Sequence, residues 1–79
     1  MRTIDWNDTL DVIDAKARAF GRYGCLATIN NQRWAIYNYD ILKTPHTNPP
    51  GMTVLKHLHQ AIIAAKDGYF IIKNGEILG

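Results

Sequence analysis

All three prolines of this 79-residue chain fall inside one segment, 43–51, which reads KTPHTNPPG. Proline fixes φ and removes a backbone donor, so neither a helix interior nor a central strand passes through such a stretch. The chain is thereby divided into two parts, about 6–42 and 52–79, and a core has to be assembled across the break. The connection is longer than the common length of roughly 4–6 residues, and exposed connections are enriched in functional groups. His46 is the imidazole it carries.

Hydrophobic residues make up 47% of the chain and charged residues 20%, a globular composition rather than a disordered one. With a single cysteine, Cys25, there is no internal disulfide to support so small a core. That favours a reducing, cytoplasmic setting and makes a homodimer plausible. Asp5, Asp8, Asp11 and Asp14 interrupt any apolar leader in the first 20 residues. The apolar run at 61–65 is far short of the ~20 residues a membrane helix needs, so no membrane partner is expected.

In the first part, Leu10, Ile13, Ala17 and Phe20 recur at helical spacing and predict a helix over 8–20. Asn7 or Asp8 is placed to cap it, and Trp6 to fold back on its first turn. Asp8, Asp11 and Asp14 come early and Lys16 and Arg18 late, as the helix dipole favours, with Asp14 and Arg18 spaced for an i,i+4 pair. Gly21 and Gly24 bracket its end. Strands follow near 25–30 and from 33 to 39 or slightly beyond. A two-residue loop at Asn30-Asn31 pairs Ala27 with Trp34 and sets Cys25, Ala27 and Ile29 on the Trp34 face; a three-residue loop sets Leu26 and Thr28 there instead.

In the second part, Leu55, Leu58, Ile62 and Ala65 repeat the helical spacing and predict a helix over 53–66, capped by Thr53 and ended by Gly68. A hairpin over 69–73 and 76–78 then turns at Asn74-Gly75, a dipeptide suited to a turn with two positive φ angles. The two parts share a plan, helix, glycine and hairpin, and aligning Gly24 with Gly68 favours the three-residue loop in the first. The expected fold is α+β, in the order αββαββ: a four-stranded, mostly antiparallel sheet with two helices on one face, forming one domain over 1–79.

No catalytic set assembles from spacing alone. On a helix, His57 and His59 lie about 200° apart and cannot share one ion. With one cysteine and His46 elsewhere, no metal centre and no cofactor is expected. Cys25 sits among apolar residues, as a small hydrophobe does. The aspartates of the first helix are explained by its dipole, and His46 as a general base has only its exposure to recommend it.

Helices on one face leave the other face of the sheet open, carrying Arg33, Tyr37, Tyr39, Tyr69, Ile71, Lys73 and Leu78. Tyrosine and arginine mixed with aliphatic residues are characteristic of protein interfaces. The expected function is therefore a small non-enzymatic binding module that regulates or inhibits a protein partner or associates with itself, a size class common among phage and mobile-element accessory proteins. The alternative reading has the same face stacking single-stranded nucleic acid, with Arg33 and Lys73 on phosphates.

Overall fold

The computed structural model describes residues 4–20 and 25–78. Its order is α1 (Leu10–Phe20), β1 (Cys25–Ile29), β2 (Gln32–Lys43), β3 (Thr53–Lys56), β4 (Ala61–Ala65) and β5 (Gly68–Ile77). The five strands form one antiparallel sheet in the order β1-β2-β5-β4-β3. The protein is thus mostly β with one short helix, and the expected four strands and two helices are corrected.

The helix α1 forms on the predicted stripe: Leu10, Ile13 and Ala17 are fully buried. The Asp14–Arg18 pair is present at 3.2 Å. The predicted stop at Gly21 and Gly24 lies outside the described residues. Its start differs from expectation. The Asn7 amide donates to Asp5 Oδ1, while the Leu10 amide donates to Asp67 Oδ1 at 2.9 Å, so the helix is capped from the β4–β5 turn. Trp6 packs on the core that the helix and sheet share. Its ring meets Phe70 edge-on at 5.4 Å, and its indole N–H donates to the Thr28 carbonyl.

The β1–β2 hairpin takes the two-residue loop. Asn30 and Asn31 have φ of 51° and 64°, Ala27 pairs with Trp34, and Cys25, Ala27 and Ile29 are buried beside Trp34. The second helix is absent. In its place β3, a loop at 57–60 and β4 run out and back, and the turn of the next hairpin is Lys66-Asp67, joining the paired residues Ala65 and Gly68. The segment at 61–65 (AIIAA) is a continuous apolar run, and periodicity does not separate a buried strand from a buried helix in so short a run. Pairing with β5 decides it, burying Ala61, Ile63, Ala64 and Ala65 and leaving Leu58, a stripe residue of the predicted helix, 75% exposed.

Asn74-Gly75 is not a turn. Both residues lie within β5, paired with Asn38 and Ile36. Gly75 is closely packed there: a Cβ would sit 3.0 Å from the Ala35 carbonyl and 3.1 Å from the Trp34 ring. Gly68 is more constrained still: a Cβ would overlap the Leu42 carbonyl oxygen and lie 2.7 Å from Leu10 Cδ1.

Opposite β5, the register of β2 shifts between Ile36 and Asn38 and again between Asn38 and Tyr39. This bulge inverts the alternation of inner and outer side chains. Trp34 and Ile36 point into the core before it, and Tyr39 and Ile41 pack on the core after it. The sheet also coils. Thr53 Oγ1 donates to Asn30 Oδ1, and Lys56 Nζ to Gln32 Oε1, joining β3 to the β1–β2 hairpin although β1 and β3 are opposite edges.

Candidate functional site

The bulge and the coil divide the predicted open face. Arg33 and Tyr37 are exposed at one end, where Tyr37 Oη donates to Glu76 Oε2 at 3.1 Å, a bond that pushes the phenol pKa up. Leu78 lies beside them, its amide donating to the Arg33 carbonyl. Tyr39 belongs to the other side. Its ring stacks on Phe70 at 4.8 Å and its hydroxyl donates to Asp14 Oδ1 at 2.6 Å. Burial first, then this bond to a carboxylate, drives its pKa far above the usual tyrosine range. Tyr39 is therefore no part of an exposed binding face.

Tyr69 faces the proline-rich segment. His46 stacks on its ring at 4.6 Å, and Asn48 Nδ2 donates to its hydroxyl. His46 Nε2 reaches the Ala65 carbonyl at 2.7 Å and the Gly68 carbonyl at 2.9 Å, and its Nδ1 lies 3.1 Å from the Asn48 amide. These partners assign the proton to Nε2, which donates to both carbonyls while Nδ1 accepts. His46 is a clamp across the Lys66-Asp67 turn, and the segment 43–51 is anchored to the sheet through it.

Ile71 and Lys73 lie in the middle of the outer face. Lys73 Nζ is 3.9 Å from Asp40. Ile71 joins Leu55 and Ile62 in a groove of about 140 Å³, with Gln60 and Lys73 also among its lining residues. Cross-strand pairing accounts for this line: Leu55 opposes Ile62, and Ile62 opposes Ile71. On β3 and its flanks, Met52, Val54, Leu55 and Leu58 are all exposed. Reading 53–66 as a helix concealed this patch. One sequence signal does mark it: from 41 to 66 the chain has three lysines and all three histidines, but no aspartate or glutamate.

The remaining polar groups serve the fold. Asp8 pairs with Lys16 and Asp11 with Lys43. Burial pushes the Cys25 thiol pKa up, which lowers its thiolate fraction and nucleophilicity. With no helix there, His57 and His59 sit on the 57–60 loop; His59 Nδ1 bonds the Gly75 carbonyl at 3.1 Å, and the His57 amide donates to the Gln60 carbonyl. Among the described residues no group of three or more His, Cys, Asp or Glu side chains is placed to hold a metal ion. No helix among them is long and apolar enough to cross a membrane.

Comparison with known families gives a match to the formyl transferase C-terminal domain over residues 1–79. None of the curated proteins matches the chain. The match spans the whole sequence, and the chain belongs to the formyl transferase C-terminal domain family. The expected non-enzymatic regulator or inhibitor is corrected: the family is that of an enzyme-related domain.

Proposed function

We propose that this chain, as a formyl transferase C-terminal domain, is the accessory domain of a formyl-transferring enzyme, working beside a catalytic domain that carries the chemistry. The family match over residues 1–79 is the observation that supports this reading. Moving a formyl group to a nucleophile requires a base for the nucleophile and donors for the oxyanion that develops. The groups here best suited to such work are engaged in the fold, His46 across a turn and Asp14 on Tyr39.

The groove of Leu55, Ile62 and Ile71, with the exposed run at 52–58, is the surface we assign to the catalytic domain. The segment 41–66, which supplies Leu55 and Ile62, carries no aspartate or glutamate, and with Lys56 it suits an apolar contact rimmed by carboxylates. On this reading the domain works in the cytoplasm, where Cys25 remains a free thiol.

The test measures formyl transfer by a formyl transferase catalytic domain, alone and with this chain added or fused. The chain is expected to raise kcat/KM and to transfer nothing by itself. Turnover by the chain alone, or an unchanged kcat/KM in both formats, overturns the proposal.

A further inference from the structure

We infer that the Asn74–Gly75 linkage is a deamidation site held latent by the fold, with the 57–60 loop as its latch. An asparagine followed by glycine is chemically the most permissive sequence for this reaction, because no side chain shields the attacking nitrogen. The Gly75 nitrogen adds to Asn74 Cγ, the new C–N bond closes a five-membered imide, and the Cγ–Nδ2 bond breaks. Ammonia leaves with the proton lost from the Gly75 amide. Water then opens the imide at either carbonyl, giving an aspartyl or an isoaspartyl residue at position 74. The net change is ammonia exchanged for water, with no oxidant or reductant.

Three features of the structure oppose the first step. The Gly75 N–H, which must be surrendered, donates to the His59 carbonyl at 2.9 Å. The returning bond from His59 Nδ1 to the Gly75 carbonyl, at 3.1 Å, holds the same residue from its other side. The peptide also has to swing to bring its nitrogen onto Cγ, but Gly75 is buried, and an added Cβ would already stand 3.0 Å from the Ala35 carbonyl and 3.1 Å from the Trp34 ring. Neither residue has the positive φ of the turn that this dipeptide favours elsewhere.

Two features make the protection conditional. Asn74 is exposed and pairs with Asn38 at the bulge, where the β2–β5 ladder is least regular. The latch is a four-residue loop whose members are all exposed, so its opening costs less than global unfolding. Once opened, the site reacts irreversibly. The product adds a negative charge beside Lys73, and the isoaspartyl form adds a backbone carbon that moves Glu76 and Ile77 out of register with β2.

The experiment incubates the whole chain in mildly alkaline buffer, native and in urea, and follows the peptide containing Asn74 by mass spectrometry with isoaspartyl detection. Conversion is expected to be at least about tenfold slower in the native chain, in proportion to the loop-opening equilibrium. His59→Ala, which removes one latch bond, should convert faster than wild type under native conditions. Hydrogen exchange at the Gly75 amide in the wild type should respond to added denaturant in parallel with conversion. Equal rates in native and unfolded chain overturn the inference. So does an unchanged rate in a folded His59→Ala. If that variant does not fold, Gly75 exchange that opens only with global unfolding removes the loop as latch.

Discussion

The Asp67 carboxylate accepts a hydrogen bond from the Leu10 amide at 2.9 Å, so the two-residue turn between β4 and β5 caps a helix that begins 57 residues earlier. The bond ties helix to sheet at the point where Gly68 also lets Leu10 approach the β2 backbone. Replacing Asp67 with alanine should cost about 1 kcal/mol in urea denaturation, as loss of a helix cap does. Asp67→Asn keeps an acceptor and should retain most of that stability.

The three described glycines with structural neighbours rank by the space around them. Gly68→Ala forces an overlap with the Leu42 carbonyl, and its cost should exceed about 3 kcal/mol, the range of severe overpacking. Gly75→Ala meets its nearest neighbour at 3.0 Å and should be milder. Gly51→Ala would meet Trp6 at an ordinary contact of 3.7 Å but has a φ of 88°, so strain of roughly 1 kcal/mol is expected. Thermal unfolding of the three variants checks the order.

Tyr39 gives the protein a limit at alkaline pH. Its phenol pKa is raised in the folded state above the ordinary value of 10.0, so the fold binds this proton more tightly than the unfolded chain does. The stabilisation is complete below that ordinary value and declines as pH rises through it toward the folded pKa. Unfolding midpoints measured on both sides of pH 10.0 should fall for the wild type and fall less for Tyr39→Phe. The same substitution should cost about 1–2 kcal/mol near neutrality, where it removes a bond to a carboxylate.

His46→Ala removes the donor shared by the Ala65 and Gly68 carbonyls and the ring stacked on Tyr69. A loss of about 1–3 kcal/mol is expected. Hydrogen exchange should rise locally over 65–69 and in the segment 43–51, while α1 keeps its protection.

Leu58→Asp alters a side chain that is 75% exposed and should change stability by no more than about 0.5 kcal/mol. On the proposed function it should abolish the stimulation of a catalytic domain. Tyr37→Ala, which is not among the residues lining the groove, should leave that stimulation intact.

Where local rules sufficed, the sequence was legible. The stripe of Leu10, Ile13 and Ala17 identifies α1, and Asn30-Asn31 supplies the positive φ pair of the first hairpin. The apparent repeat between the halves misled, favouring the longer loop that does not form. The second half depends on contacts distant in sequence. Leu55, Leu58 and Ile62 have helical spacing, but pairing of β4 with β5 outweighs it. Asn74-Gly75 carries a turn signal, yet its glycine answers to the Ala35 carbonyl on another strand. The binding face was only partly legible for the same reason. Ile71 and Lys73 line the groove as outer-face residues, whereas Leu55 was hidden in a helix that is not there and Tyr39 was displaced by a bulge.

That bulge gives Asn38 an influence its exposed side chain does not suggest. The ladder skips Tyr37 on β2 and Lys73 on β5, so the two strands change face together, and removing Asn38 would leave Tyr39 and Ile41 inward by plain alternation but strand the matching irregularity of β5 without its counterpart. Position 38 therefore acts as a reading-frame marker for the sheet: side-chain substitutions there are cheap, but a change of length is not. A one-residue gap placed elsewhere in β2 exchanges inside for outside from that point toward Lys43, whereas one at 37–38 does not.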